Sequence, residues 1–334
     1  MPNRGPFILY LSAVQNSSVL HSMAEIALPE VKLNLYNVKS PVQATVVENR
    51  IVTAEPSPNI VRHLVFDVSG TELEGQVAAG QSVGVLTPGE DANGKPHKLR
   101  LYSLASPSRG EGGQPHLIST TVKRTIEEID GKLYTGVASN YLCDLQPGDP
   151  VMLTGPSGRR FLLPERAHEY QYLFFATGTG VAPFRGMIQE LDLSKTSATL
   201  AFGCAYRTDV LYADEFDPLA KEHSSFHFLK AISRENRRAD GTKAYVHTHL
   251  EDAPEAVRKQ VAAKNTLIYI CGLKGMEWGI YKTLLQQGHS SYFEPKNEEG
   301  AAWLKDVASG TTKITEEDFK QNVKPGPRLF EEVY

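Results

Sequence analysis

The sequence predicts two domains, an N-terminal antiparallel β-barrel and a C-terminal Rossmann-like α/β domain built on a parallel sheet. In the first half, β-branched runs such as residues 44–52 and 60–68 alternate with turn residues. Several such runs at close spacing favour an antiparallel barrel. In the second half, the buried strand 172–176 leads through a glycine turn into the helical pattern 184–191. That order of strand, turn and helix is typical of parallel sheets that bind dinucleotides.

Length and composition support this division. The chain has 334 residues, of which 41% are hydrophobic and 22% charged, as expected for two globular domains of common size. We expect a poorly ordered N-terminal extension at 1–34, the barrel at 35–165 and the α/β domain at 169–334. The protein is expected to be a monomer.

Charge and cysteine usage exclude several classes of partner. The net charge of −4 gives no global attraction to nucleic acid, and no apolar run is long enough for an integral membrane segment. The cysteines, Cys143, Cys204 and Cys271, are odd in number and widely spaced, which argues against a disulfide framework or a zinc site. We therefore expect a reducing compartment, the cytoplasm. The plastid stroma is the alternative if the N-terminal extension, whose residues 1–21 contain no acidic residue, is a targeting segment.

The segment Arg100-Leu101-Tyr102-Ser103 carries the first functional motif. In an extended strand Arg100 and Tyr102 share one face and Leu101 and Ser103 the other, unless the strand bends. This set suits a flavin nucleotide, with the guanidinium on the pyrophosphate, the phenol ring on the isoalloxazine and the hydroxyl near the reactive ring nitrogen. The alternative is an edge strand with an exposed arginine and a half-buried tyrosine.

Two glycine turns precede short helical patterns. After Gly136, the small residues of Val137-Ala138-Ser139 open a helix whose free amides can bind phosphate, or the turn is simply capped without a ligand. The turn 177–183 follows the strand 172–176 and departs from the G-x-G-x-x-G spacing. Its glycines would let a pyrophosphate rest on the following helix, with Arg185 adding charge.

The later strands end in candidate ligand residues. Strand 226–232 ends at Ser233 and Arg234, which together with Lys243 and Tyr245 could receive a phosphorylated ribose and its adenine. Arg237 and Arg238 are better explained as solvated loop charges. Strand 266–270 delivers Cys271 to its carboxyl end, where residue type alone favours a small buried side chain.

Six motifs in register give the chain a family resemblance. From about residue 35 to the end it resembles plant-type ferredoxin–NADP(H) reductases, and the matching segments are 93–106, 136–144, 154–156, 177–185, 271–277 and 332–334. The resemblance implies that the barrel binds FAD and the parallel sheet binds NADP(H).

The resemblance also implies residue roles. For FAD it indicates the following residues: Arg100, Leu101, Tyr102, Ser103, Val137, Ala138, Ser139 and Tyr334, the last covering the opposite flavin face. For NADP(H) it indicates Lys123, Thr179, Gly180, Arg185, Ser233, Arg234, Lys243 and Tyr245, with Ser233 and Arg234 reading the 2′-phosphate. Gly272 and Leu273 are also predicted to bind a cofactor. It makes Ser103, Cys271, Glu332 and Tyr334 the catalytic set, with Cys271 and Glu332 bordering the site of hydride transfer.

The implied reaction is hydride transfer between NADP(H) and the flavin N5, coupled to single-electron exchange with ferredoxin or flavodoxin docked near Lys95 and Lys98. One alternative is a flavin-dependent NADPH reductase component that serves an oxygenase. Another is a redox-silent NADP-binding regulator, which needs the glycine turn but not Tyr102, Ser103 or Tyr334.

The chain departs from the family pattern at three places. The aromatic that stacks on the FAD adenine is missing from residues 125–128, and His247 stands where glutamine is usual. Residues 292–310 form an apparent insertion to which the sequence assigns no function.

Overall fold

Residues 26–334 are described by the structure, a computed structural model. Alternating and β-branched runs of the first half form strands, and one short helix follows Gly136. These elements are β1 (Val42–Ile51), β2 (Val61–Asp67), β3 (Ser82–Leu86), β4 (Arg100–Ser103), β5 (Leu117–Lys123), β6 (Ile126–Ile129), β7 (Lys132–Thr135), α1 (Val137–Asp144) and β8 (Pro150–Ser157).

The first half is the predicted antiparallel barrel. Its main sheet has the order β4-β3-β8-β1-β2-β5, and it closes where Leu104, just beyond β4, bridges to Thr120 in β5. In β1, Val42, Ala44 and Val46 are buried in alternation with exposed residues, because successive side chains of a strand point to opposite faces. The inward-facing side chains make the barrel core.

The second half alternates strands and helices. Its elements are β9 (Gln171–Thr177), α2 (Val181–Glu190), β10 (Ala198–Cys204), α3 (Ala213–Glu222), β11 (Phe226–Ile232), α4 (Thr248–Glu251), α5 (Glu255–Ala262), β12 (Thr266–Gly272), α6 (Met276–Gln286), β13 (Phe293–Pro295), α7 (Glu298–Ser309), α8 (Glu316–Asn322), β14 (Val323–Pro325) and β15 (Leu329–Val333).

These strands form the predicted parallel sheet, in the order β11-β10-β9-β12-β15. Apolar clusters cover both of its faces, which explains why β9 is buried along nearly its whole length instead of alternating. The fold class predicted from the sequence is confirmed. No helix among residues 26–334 has the length and apolar character needed to cross a membrane.

The two halves are joined through α2. A Cβ atom on Gly186 would lie 2.4 Å from the carbonyl oxygen of Ser106 in the barrel half, so the helix approaches the barrel more closely than any side chain would permit. The neighbouring Arg185 is buried and forms ion pairs with Glu111 of the barrel half and Glu215 of α3. These contacts fix the orientation of the two halves at the cleft between them.

Residues 26–34, part of the predicted extension, are hydrogen-bonded to the first half of the chain: Glu165 N donates to Ala27 O at 3.0 Å and Asn34 N to Pro156 O at 2.9 Å. The rest of the predicted extension, residues 1–25, lies outside the described residues. Residues 292–310, the apparent insertion of the sequence analysis, contain β13 and α7, and Trp303 and Val307 pack into the apolar cluster on one face of the parallel sheet.

Candidate active site

A cavity of about 790 Å³ opens between the barrel and the parallel sheet. Its walls come from β4, from the start of α1 and from the turn after β9. Of the residues predicted for cofactor binding, the following line it: Arg100, Leu101, Tyr102, Ser103, Lys123, Val137, Ala138, Ser139, Thr179, Leu273 and Tyr334. We call this the flavin cavity, after the cofactor that the family resemblance implies for it.

The β4 wall supplies a free cation, an aromatic ring and a hydroxyl. Within residues 26–334, the exposed Arg100 side chain has no hydrogen-bond or ion-pair partner. Tyr102 packs against the barrel core, and burial raises the pKa of its phenol to about 12. All four residues of β4 line the cavity, so alternation alone does not separate them at this closing edge of the barrel.

The start of α1 presents backbone amides to the same cavity. Its Gly136 N-cap carries no side-chain cap, while Asn140 Nδ2 donates to the carbonyl oxygens of Gly136 at 2.7 Å and Thr125 at 2.9 Å. Those bonds fix the loop, and the first residues of the helix, whose amides have no intrahelical partner, line the cavity. Amides at a helix N-terminus bind phosphate. Together with the free guanidinium and the ring on β4, this donor set fits FAD.

Tyr334 closes the cavity on the side of the parallel sheet. Its backbone is held on both sides, since Tyr334 N donates to Gly272 O at 3.0 Å and Lys274 N donates to Tyr334 O at 3.0 Å. Its hydroxyl lies 2.6 Å from Thr179 Oγ1, and 59% of the residue is exposed. The side chain of Tyr334 therefore reaches from the end of β15 to the turn after β9, and one face of its ring is accessible to solvent.

A second cavity, of about 610 Å³, lies at the carboxyl ends of β9, β10 and β11, where parallel sheets bind nucleotides. Ser233, Arg234 and Tyr245 line it, as does His247. We call this the nucleotide cavity. It shares with the flavin cavity Lys123, Thr177, Gly178, Thr179 and Leu273. The two cavities thus meet at the glycine turn, beside Tyr334.

The basic end of the nucleotide cavity is built around Arg234. Its Nη1 donates to the Tyr206 hydroxyl at 2.8 Å, and its guanidinium lies 5.3 Å from the centroid of that ring. Tyr245 stacks on His247 with ring centroids 5.9 Å apart, and burial lowers the pKa of this histidine. A neutral imidazole adds no charge near neutral pH, so Arg234, and not His247, supplies the positive charge beside Tyr206.

Comparison with known proteins identifies the family. Residues 174–282 match the family described as oxidoreductase NAD-binding domain. The ferredoxin–NADP reductase of Spirulina sp. is 38% identical over 322 residues, which cover 92% of this chain and 100% of the relative. This chain belongs to the ferredoxin–NADP reductase family. A chloroplastic leaf isozyme of that name from Oryza sativa subsp. indica is 36% identical over 91% of this chain and 80% of its own length.

The fold agrees with this assignment. The solved ferredoxin–NADP⁺ reductase from Plasmodium falciparum superposes with a TM-score of 0.63 at 22% identity, covering 90% of this chain and 99% of that one. The ferredoxin–NADP reductase family consists of flavoenzymes that use FAD and NADP(H). The predicted family, enzyme class and cofactors are therefore confirmed.

In this member of the ferredoxin–NADP reductase family, Arg185 does not lie at the nucleotide cavity, although the sequence predicted that it contacts NADP(H). It lines neither cavity, and its guanidinium is used by Glu111 at 2.8 and 2.9 Å and by Glu215 at 2.7 and 2.9 Å. Burial alone would raise the pKa of Glu111, but hydrogen bonds and charge from Arg185 lower it below its ordinary value. Arg185 therefore joins the two domains, and the structure does not support the predicted contact between its guanidinium and NADP(H).

Cys271 and Glu332 lie behind the cavity wall instead of on it. They are register partners on β12 and β15, directly before the residues that hold Tyr334. Burial raises the pKa of the Cys271 thiol, and it raises the pKa of Glu332 to about 7. Neither residue lines a cavity while Tyr334 is in its observed position.

Two glycines predicted to bind a cofactor, Gly180 and Gly272, shape the glycine turn. A Cβ on Gly180 would lie 2.2 Å from Cys271 O, and one on Gly272, whose φ is +145°, would lie 2.2 Å from Thr177 Oγ1. Both therefore let β9 and β12 end side by side. Lys243 is exposed and lies outside the lining of the nucleotide cavity, although the adjacent Ala244 belongs to it.

Sequence reasoning missed several wall residues. Thr121, Thr125 and Glu127 line the flavin cavity, and Asn59 and Trp278 line the nucleotide cavity. Asn59 is positioned through a 2.9 Å hydrogen bond to Asp209, 150 residues away. No local pattern marks these residues, because tertiary contacts bring them to the site.

Proposed function

We propose that this chain moves electrons between NADP(H) and a small one-electron protein carrier, ferredoxin or flavodoxin, with FAD in the flavin cavity and NADP(H) in the nucleotide cavity. The observation that carries the proposal is the shared wall of the two cavities at Thr179, next to Tyr334. Bound FAD would supply the conversion between hydride transfer and single-electron exchange. The chain would act as a monomer, in the cytoplasm or the plastid stroma.

In the flavin cavity, Arg100 and the amides at the start of α1 would hold the pyrophosphate. Tyr102 and Tyr334 would contact opposite faces of the isoalloxazine, and the Ser103 hydroxyl would point toward its reactive nitrogen. Tyr102 suits this role because its phenol stays protonated far above neutral pH.

The groups behind Tyr334 favour hydride transfer by being weakly charged. Burial keeps Cys271 as a neutral thiol, and the raised pKa of Glu332 keeps part of its population protonated near pH 7. Once the ring of Tyr334 moves aside, these groups would border the nicotinamide without presenting a full pair of negative charges. Thr179 and Gly180 would position the nicotinamide end of the nucleotide.

The direct test of the proposal is the absorption spectrum of the purified protein and the identity of its extractable cofactor. We expect a flavin spectrum and FAD in the extract. A colourless protein that binds NADP⁺ would instead favour the redox-silent regulator. A protein that reduces an oxygenase but neither ferredoxin nor flavodoxin would favour the oxygenase component.

Arg234→Ala is expected to raise KM for NADPH and to lower kcat/KM by about 10- to 100-fold, because a charge-assisted contact is worth about 1.5–3 kcal/mol. The kinetics with NADH, which lacks the 2′-phosphate, should be unchanged. The measurement is steady-state reduction of a small acceptor at varied concentrations of each nucleotide.

The matched control is Arg207→Ala, which removes an equal charge from a side chain that is 75% exposed and lies outside the nucleotide cavity. It should leave both nucleotides unaffected. Equal use of NADPH and NADH by the unmodified protein would contradict the assignment of Ser233 and Arg234.

Lys95 supports a docking surface for an acidic carrier. It is exposed in the loop before β4, which Asp91 folds by accepting from Lys95 N at 3.1 Å. Lys98, predicted for the same surface, lines the flavin cavity and so has a second possible task. Lys95 is therefore the cleaner residue on which to test docking.

Lys95→Glu is expected to slow association with ferredoxin about three- to tenfold at low ionic strength and to flatten the salt dependence, because steering is screened over about 10 Å at 0.1 M salt. Stopped-flow reduction of ferredoxin measures the rate. Reduction of a small acceptor by NADPH should not change. Lys305→Glu, on α7 and equal in charge change, is the control. If both variants reduced ferredoxin equally fast, the carrier would dock elsewhere.

A further inference from the structure

The β6–β7 hairpin exposes large apolar side chains beside the flavin cavity. Tyr134 is 51% exposed and Leu133 69%, although both belong to a regular ladder. The base of the hairpin is part of the cavity, since Thr125, Glu127 and Gly136 line it. An exposed aromatic next to a ligand cavity is a candidate contact for that ligand.

The register of the hairpin decides which face carries Tyr134. Gly136 N donates to Thr125 O at 2.9 Å, and the ladder then pairs Ile126 with Thr135 and Glu127 with Tyr134. Directly opposed residues in an antiparallel pair project to the same face, and alternate residues along a strand share a face. Tyr134 therefore lies on the face of Glu127 and Gly136, the face that lines the cavity.

The neighbouring Leu133 provides the contrast. It pairs with Glu128 and so projects to the opposite face of the hairpin, together with Ile126. Tyr134, Leu133 and Glu128 are themselves outside the cavity lining, which reaches the hairpin at its base. Tyr134 is the one aromatic residue of the hairpin and lies on the face of the lining residues Glu127 and Gly136, whereas Leu133 and Ile126 lie on the opposite face.

We propose that the ring of Tyr134 is the stacking platform for the adenine of FAD, an inference that rests on the proposed binding of FAD in the flavin cavity. Residues 125–128 contain no aromatic that could stack on adenine from β6. Across the ladder from Glu127, β7 supplies one at the same level of the same face. The stacking residue would therefore come from β7 instead of β6. The half-exposed ring of Tyr134 leaves one face open for a base.

The chemistry of the surrounding wall fits the adenosine half of the cofactor. The α1 amides and Arg100, which fit the pyrophosphate, line the same cavity as the hairpin base. Stacking of a base on an aromatic ring does not depend on specific hydrogen bonds, since every base has a π-face. Tyr134 can therefore stack on adenine while its hydroxyl stays in water.

The test compares FAD with FMN, which lacks the adenosine half. Flavin-free full-length protein is titrated with each flavin, and the quenching of flavin fluorescence gives Kd. Tyr134→Ala should weaken FAD binding about tenfold, the effect of losing one base stack, and leave FMN binding unchanged. Tyr134→Phe, which keeps the ring, should bind FAD as the unmodified protein does.

Leu133→Ala is the matched control, because it removes a large exposed side chain from the opposite face of the same strand. It should not alter FAD binding. Wild-type FAD affinity in Tyr134→Ala overturns the inference, and so does an equal loss for FAD and FMN, which indicates a general distortion of the site. If the unmodified protein bound neither flavin, the proposed function itself would fail, and the inference with it.

Discussion

We expect Arg185→Met to lower the free energy of unfolding by about 3–5 kcal/mol, the loss typical when one partner of a buried ion cluster is removed. Only 5% of Arg185 is exposed, and its guanidinium donates to both carboxylates and to the carbonyl oxygen of Ala105 at 3.2 Å. The substitution leaves Glu111 and Glu215 without the cation that they share. Within the described residues, the cation that remains near Glu215 is the more distant Arg50, at 3.5 Å. Urea unfolding of the purified protein measures the loss.

The loss depends on pH with a definite sign. Arg185 lowers the pKa of Glu111, so the stability from this contact is present above the ordinary carboxylate pKa and is lost as pH falls through the lowered value. The difference between Arg185→Met and the unmodified protein should therefore be largest near neutral pH and shrink in acid.

Two variants control this experiment. Arg166→Met removes an exposed ion pair to Glu169 and should cost at most about 1 kcal/mol. Combining Arg185→Met with Glu111→Gln and Glu215→Gln should recover part of the loss, because no unpaired buried charge then remains. A loss below about 1 kcal/mol in Arg185→Met alone would show that the cluster does not hold the domains together.

Tyr334→Ser should bind NADP⁺ about 10- to 100-fold more tightly than the unmodified protein. In the proposed function the ring of Tyr334 occupies the place that the nicotinamide must reach, so its contact energy is subtracted from nucleotide binding. Displacing the ring also breaks its hydrogen bond to Thr179, which lines both cavities. Equilibrium titration followed by flavin difference spectra gives the affinity.

The same variant should discriminate less against NADH, because the 2′-phosphate contact no longer has to drive displacement of the ring. Tyr334→Phe is the matched control: it keeps the ring, loses only the hydroxyl contact, and should shift NADP⁺ affinity by much less. Unchanged NADP⁺ affinity in Tyr334→Ser would remove the gating role.

The sequence predicted the parts of the fold that local patterns encode. Burial alternates along β1 because one face of that strand is exposed to solvent. The apolar run of β9 is continuous because both faces of that strand are buried. The β6–β7 hairpin was not recognised, because Glu127 and Glu128 interrupt any apolar alternation on β6. Its solvent exposure allows a sequence that no core pattern marks.

The site was predicted less completely, for a physical reason. Residue type and position suggested that Arg185, in the first turns of α2, would meet a phosphate. The side chain instead meets Glu111, 74 residues earlier, and Glu215, 30 residues later. Such long-range partners decide where a cation points, and no local pattern contains them.

The central claim is that electrons pass from NADPH to a protein carrier through a flavin held where the two cavities meet. Anaerobic titration of the purified protein with NADPH, followed by addition of oxidised ferredoxin, tests it most directly. We expect NADPH, and not NADH at the same concentration, to bleach the flavin absorption, and ferredoxin to restore it with two equivalents per flavin. A flavin that NADPH does not bleach, or whose absorption ferredoxin does not restore, would contradict the account.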